Sequence, residues 1–452
     1  MSSNGMDADL VKKSLVHDAD HVQEESVRME ELPEEWVAQI LHFVSVTDLF
    51  VCMSVSRSFR TAAAYEIRTQ ECLIIGSGFL GRKSVNKHFR TALSLDRVTM
   101  WDEMFDDERQ EMMKSLLLMQ NLSKLLVHDI PAPTIVPLIE KNAETLKYLD
   151  MELQLPVSDV VYPNLIYLRC SGFLSETASA CPRLADLQVV GGDWSSSSLM
   201  PLLKSLCVTG VSRESDQSYE TFIMKNAATI QSLETPFELP FDPDRPVVYS
   251  NLRDLICTVI NETSASACPL VEHLHLVCCY VWHNRLQEGV DGISKLIHLK
   301  TLHFSASYGG GGADSALSHL FDDLYELEDV SLSFDYQHNF SLSDLIGKLV
   351  KNNPKLNKLS MDGMVVSDEC LNHLCELHHL MNLTVGYENE VTPDAIVSLL
   401  RGNLRHILQC LQIYPDRRDM HEVKKEVIRV NEEKKSKDLS TIVGVQLQLL
   451  LY

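Results

Sequence analysis

Positive charge is scarce in this chain: Lys and Arg number 40 against 63 Asp and Glu, for a net charge of −23. Nucleic-acid binding is driven by neutralising phosphates with cations, so this balance argues against a nucleic-acid partner. Long apolar runs are missing too, none approaching the ~18 residues a membrane span needs. The start of the chain lacks the basic-then-apolar layout of a signal peptide, which places the protein by expectation in the cytoplasm or nucleus, away from membranes. No CxxC pair occurs among the 12 cysteines. Cys278 and Cys279 beside His283, and Cys370 and Cys375 with His373, do not have the paired spacing of a zinc site, so the thiols are expected to be free and mostly buried, with no metal. A nucleophile elbow and paired catalytic carboxylates are absent as well. The run Tyr308-Gly309-Gly310-Gly311-Gly312 is not followed by Gly-Lys-Ser/Thr and reads as a flexible loop, not a phosphate cradle. The expectation is a protein without catalytic residues and without a cofactor.

What is present is repetition. An apolar-x-x-apolar-x-apolar pattern runs from Leu122/Leu125/Val127 through Leu149, Leu168, Leu187 and Leu206 to Leu408/Leu411/Ile413, with a degraded copy at Ile230/Leu233/Thr235. The spacing is close to the ~20–29-residue period of leucine-rich repeats. Each copy predicts a short strand whose alternate side chains enter a core, followed by a returning segment. One repeat cannot bury its own apolar face, but a stack can. The fold class expected is therefore α/β: a leucine-rich-repeat solenoid, a curved parallel sheet with helices and loops on its convex side. The longer C-terminal repeats have room for true helices. Ser343 is the cap expected for one carrying Leu345, Ile346, Leu349 and Val350, and Thr392-Pro393 opens another.

Ahead of the repeats, residues 31–63 compress three short helices into little chain. Pro33 suits a first helical turn, and Val37, Ile40, Leu41 and Val44 recur at one-face spacing. Thr47 and Asp48 can cap a second helix carrying Leu49, Cys52 and Met53, and Ser56 a third carrying Phe59, Ala62 and Ala63. A module this small buries too little apolar area alone, which predicts a partner for part of its surface.

These residues resemble the F-box family: Leu32-Pro33, an acidic residue, Ile40-Leu41, Asp48-Leu49, and Val55-Ser56-Arg57 before an aromatic. Val44 stands where the family usually has Leu, and Phe59 where it usually has Trp. The resemblance implies docking onto a Skp-type adaptor and, through it, a cullin. Leu32, Pro33, Ile40, Leu41, Leu49, Val55 and Phe59 would then supply the adaptor-facing and core contacts. Cys181-Pro182 and Cys268-Pro269, just before strands, are similar to the cysteine-containing repeats found beside F-boxes.

The organisation expected is an acidic tail over 1–29, the small module over 30–68, a connecting and capping segment over 69–120, repeats over 121–414, and a charged helix with a closing strand over 415–452. Residues between the inward apolar ones should face outward along the concave sheet and form the recognition surface: Tyr148, Tyr167, Arg169, His273, His275, His303, Asp329, Lys358 and Asp362 among them. Acids outnumber bases there, which suits a basic or mixed-charge protein substrate. His273, His275 and His303 fall on neighbouring strands with no thiolate or carboxylate placed to complete a metal site, so they read as solvated strand residues. The function expected is substrate recognition for a Skp-cullin-F-box ubiquitin ligase; the alternative is a non-catalytic scaffold independent of such a ligase.

Overall fold

The computed structural model describes residues 34–41, 49, 52, 55, 57–69, 71–75, 98–99, 113–114, 116–156, 160–172, 176–192, 194, 199–210, 216–240, 247–281, 283–308, 317–335, 342–386, 390–413, 421–436 and 448–450. Leu32, Pro33, Val44, Thr47, Asp48, Met53, Ser56, the 1–29 tail and the 309–312 glycine run lie outside them. Two compact units divide the chain, Met1–Asn142 and Ala143–Tyr452. Among the described residues no helix is long and apolar enough to cross a membrane.

In the first unit, helix α1 (Glu34–Leu41) packs on α2 (Arg57–Thr69). Phe59, Ala63 and Ile67 recur every four residues along α2 and are buried together with Val37, Leu41 and Leu49. After α2, strand β1 (Cys72–Ile75) pairs in parallel with β2 (Val98–Thr99) and with β3 (Lys124–Val127). Helix α3 (Ala132–Lys141) follows, opened by Pro133 in its first turn.

The second unit is built from parallel strands in sequence order: β4 (Tyr148–Met151), β5 (Tyr167–Cys170), β6 (Asp186–Val190), β7 (Ser205–Thr209), β8 (Ser232–Glu234), β9 (Asp254–Cys257), β10 (His273–Val281), β11 (Thr301–Tyr308), β12 (Asp329–Asp335), β13 (Lys358–Asp362), β14 (Asn382–Val385), β15 (Cys410–Ile413) and β16 (Gln448–Leu450). Each repeat returns the chain to the same end, so every strand runs the same way and pairs with its successor. The register superposes Leu149, Leu168, Leu187, Leu206, Leu233 and Leu255, then Leu274, Leu302, Val330, Leu359, Leu383 and Leu411. All of these are buried. At about 1.5–3 kcal/mol for each buried aliphatic side chain, this row is the spine of the unit. In the degraded copy, Thr235 takes an inward position and satisfies its hydroxyl by accepting from the Phe237 N–H at 3.2 Å.

Helices fill the return segments where length allows. Among the described residues the short repeats hold Thr177–Ala180 and Glu262–Ala267, whereas the long ones hold Leu342–Asn352, Pro393–Arg401 and, at the end, His421–Ser436. Thr392 caps its helix as expected, its hydroxyl accepting from the Ala395 N–H at 3.2 Å. Ser343 does not cap: the helix already begins at Leu342, which puts Ser343 inside the first turn and buries it.

A recurring asparagine joins successive repeats. Asn142, Asn226 and Asn353 each stand at the end of a return helix, fully buried. Each accepts from a backbone N–H of the preceding repeat: Leu122 at 3.0 Å, Met200 at 2.8 Å and Leu327 at 2.8 Å. Their amides donate to their own helices, at Leu138, Phe222 and Leu349.

Two of these asparagines open a block that occurs twice. Asn142-Ala143 and Asn226-Ala227, Leu155-Pro156 and Leu239-Pro240, Val160-Val161-Tyr162 and Val247-Val248-Tyr249, Asn164-Leu165 and Asn251-Leu252, and Cys181-Pro182 and Cys268-Pro269 correspond in order. The bonds correspond as well. Tyr162 donates its hydroxyl to Pro156 O at 2.8 Å and Tyr249 to Pro240 O at 2.7 Å. Asn164 donates to Glu144 O at 2.7 Å and Asn251 to Ala228 O at 2.6 Å. Excising residues 162–248 should therefore set β9 beside β4 in place of β5, with Tyr249 and Asn251 taking over the bonds of Tyr162 and Asn164. The excision also removes the Trp194, Tyr219, Phe222 and Phe237 ring cluster whole, leaving no half-empty core. The shortened protein is expected to stay soluble and melt cooperatively within roughly 10 °C of the parent, since repeat stability is a sum over neighbours. An unfolded product would show that the two blocks are not interchangeable.

Candidate interaction surfaces

Two surfaces stand out, one on each unit. On the first, a second apolar stripe of α1 lies about 100° round the helix from its buried Val37 and Leu41. Trp36 is 61% exposed and Ile40 39% exposed, one helical turn apart on the same stripe. Val55 and Tyr65 are also exposed, while Leu41, Leu49 and Phe59 are core. Of the residues expected to face an adaptor, Ile40 and Val55 are thus open to solvent, and Leu41, Leu49 and Phe59 hold the helices together behind them. Trp36 was not singled out by periodicity, because a helix with apolar residues on two faces blurs the one-face pattern; its signal is a large aromatic one turn before Ile40.

The second surface is the face of the 148–413 sheet opposite its buried leucine row. One line of it runs Tyr148, Tyr167, Asp186, Ser205, Ser232, Asp254, His273, Thr301, Asp329, Lys358, Asn382. A parallel line runs Asp150, Arg169, Gln188, Cys207, Glu234, Ile256, His275, His303, Ser331, Ser360, Thr384. The strand register thus brings His273, His275, His303, Asp329 and Lys358 onto contiguous strands, with Asp362 exposed at the end of β13 and Tyr148 and Arg169 half-buried on β4 and β5. Tyr167 departs from the expectation. It occupies a face position yet is 0% exposed. Its register neighbours Tyr148 and Asp186 flank it at strand spacing, close enough for side chains on one face to cover a ring. Asp150 is buried in the same region, 3.5 Å from the Arg169 guanidinium.

Further along, ionic contacts thread the face. His303 Nε2 lies 3.7 Å from Asp329, which also accepts from Lys358 at 3.0 Å. His273 has its Nδ1 2.9 Å from the Thr301 hydroxyl and its Nε2 4.0 Å from Asp254. The His275 and His303 rings meet edge to face at 5.5 Å. Burial, reinforced by His303 and opposed by Glu234, pushes the His275 imidazole below its ordinary range, so it is neutral at neutral pH. The Cys207 thiol is pushed up to about 12, first by burial and then by Glu234 and Asp186, which leaves it unreactive. Cys170, Cys181 and Cys268 are pushed up to about 12 as well, chiefly by burial. Among the described residues no three His, Cys, Asp or Glu side chains are grouped to hold a metal ion.

Comparison with known proteins bears on both units. The F-box-like family model matches residues 29–68. Among curated proteins no match is found. Among the solved structures that resemble the chain are two at low identity. One is an internalin from Listeria monocytogenes, 12% identical, covering 77% of this chain and 89% of the other, TM-score 0.37. The other is the complex of Rad7 and Elc1 in yeast, 13% identical, covering 92% and 94%, TM-score 0.37. With the in-register leucine row and parallel strand order already established, the chain carries an F-box-like domain at residues 29–68 and a leucine-rich-repeat solenoid after it.

Proposed function

We propose that the protein is a substrate-recognition subunit of a Skp-cullin-F-box type ubiquitin ligase, acting in the cytoplasm or nucleus. The observation that carries this reading is the exposed Trp36 and Ile40 stripe on the F-box-like domain, whose inner face is already closed by Val37, Leu41, Leu49 and Phe59. A large aromatic and an aliphatic side chain held in water by a helix that is otherwise packed are what a partner groove takes up, and such anchors contribute most of an interface's affinity. The adaptor is the partner this reading assigns to the stripe, with a cullin reached through it. The face of the sheet receives a protein substrate, and the chain's contribution to ubiquitin transfer and degradation is proximity, not chemistry.

The test is recovery of a Skp-type adaptor and a cullin with tagged full-length protein. Trp36→Ala with Ile40→Asp is expected to lower adaptor recovery at least tenfold, since central interface anchors cost about 2–4 kcal/mol each, while leaving the melting temperature within about 2 °C because both side chains are exposed. If the unaltered protein recovers no adaptor, or the double variant recovers as much, the reading falls and a ligase-independent binding scaffold takes its place.

A further inference from the structure

The charges on the sheet face are unevenly answered. At one end, Arg169 faces Asp150; at the other, Lys358 donates to Asp329. Between them, the face positions of β6 to β10 contain no Lys or Arg at all, yet include Glu234 and Asp254. Of the cations at the strand ends, Arg253 and Lys300 are engaged by Glu272, and Lys204 lies exposed just before β7. What stands around Glu234 and Asp254 is thiol and imidazole: Cys207 is the register neighbour of Glu234, His273 that of Asp254, and His275 lies beyond Ile256 within the field of Glu234.

Packing does not require this pattern, as the duplicated block shows. Its two copies retain the bridging asparagines, the tyrosine and asparagine bonds, the inward leucines and the Cys-Pro turns. Every face position changes between them: Tyr148 and Asp150 against Ser232 and Glu234, Tyr167 and Arg169 against Asp254 and Ile256, Asp186 and Gln188 against His273 and His275. The same scaffold accommodates a ring, a guanidinium and a buried carboxylate in one copy, and carboxylates and imidazoles in the other.

We propose that the face over β8 to β11 docks a lysine- or arginine-bearing segment of a partner protein, with Glu234 and Asp254 receiving its cations and His273, His275 and His303 lining the face beside them. This rests on the reading of that face as the substrate surface and names the chemistry of its substrate. The groups facing the imidazoles are few. His273 meets Asp254 from β9 and Thr301 from β11; His275 meets Ile256 from β9, His303 from β11 and the field of Glu234; His303 meets Asp329 and Ser331 from β12, with Lys358 beyond Asp329. A negatively charged partner would be repelled by the same carboxylates.

The probe is a fluorescent peptide of alternating Lys and Gly, with its Glu-Gly counterpart, bound to the full chain and followed by anisotropy at low ionic strength. Glu234→Gln with Asp254→Asn is expected to weaken Lys-Gly binding about tenfold at pH 7.5, which is ~1.4 kcal/mol. Glu369→Gln with Glu376→Gln removes the same charge from the helical side and is expected to change it less than about twofold, which separates docking at the face from general attraction to an acidic chain. Equal losses in the two carboxylate pairs, or a preference for the Glu-Gly peptide, each overturn the proposal. Adaptor recovery is measured on the same variants; it should be unchanged, so failure here is distinguishable from failure of the ligase reading.

Discussion

Asn353→Leu is expected to lower the stability of the repeat unit by about 3–5 kcal/mol, seen as a melting-temperature drop of roughly 8–15 °C. The side chain is 1% exposed and makes three bonds at once. It accepts from the Leu327 N–H at 2.8 Å and donates to Leu324 O at 2.9 Å and Leu349 O at 3.2 Å. Two of those partners lie in the turn before β12 and the third in the last turn of helix Leu342–Asn352, so one amide fixes the distance between a turn and the helix that follows it. Leucine keeps the branched outline but leaves a buried N–H and two carbonyls to find new partners, each at a cost of about 1–3 kcal/mol. Asn353→Asp keeps the acceptor and loses the donors, and should fall between the leucine variant and the parent. Thermal melts of the three proteins check the ordering; a leucine variant within about 1 kcal/mol of the parent would mean that the turn closes without the amide.

That bridge also marks how far the sequence could be read. The strands were legible because period-2 alternation places Leu149, Leu168 and their successors inward whatever the return segment does, and a parallel stack needs nothing more for its register. The role of the asparagines was not legible, because Asn142, Asn226 and Asn353 stand outside the strand pattern, at the end of the return helix, and what they bond lies in the preceding repeat. The signal was present as Lys-Asn-Ala at 141–143 and 225–227, and the block duplication would have followed from it. On the sheet face, position was legible and exposure was not: alternation assigns Tyr167 and Asp150 outward, but whether an outward side chain meets water depends on the size of its row neighbours, which belong to other repeats. The Trp36 stripe was missed for a related reason. Periodicity finds the face that is apolar against the core, and a second apolar face is distinguished only once burial is known.

Gly363→Ala is the second large effect, and its comparison with Gly191→Ala separates two sources of strain. Both glycines have positive φ, +67° and +74°. An alanine in that conformation costs about 1–2 kcal/mol from its own Cβ and carbonyl oxygen, wherever it stands. At Gly191 that is nearly the whole effect, since an added Cβ would meet only Gly210 O at 3.6 Å, an ordinary contact. At Gly363 the added Cβ would fall on the carbonyl oxygen of Phe334, and Phe334 C would be 2.8 Å away. The obstruction is backbone inside β12, whose neighbours pair with it on both sides, so no rotamer change relieves it. Gly363 also follows Asp362, whose carboxylate accepts the Gly363 N–H at 3.1 Å, so a shift of the turn would move an exposed acid at the end of the face. The expected losses are about 1–2 kcal/mol for Gly191→Ala and about 3–5 kcal/mol for Gly363→Ala, read as midpoints in urea with unchanged slope. Equal midpoints for the two variants would show that the turn after β13 can swing clear of β12, and that the close approach there is not needed to hold the strands together.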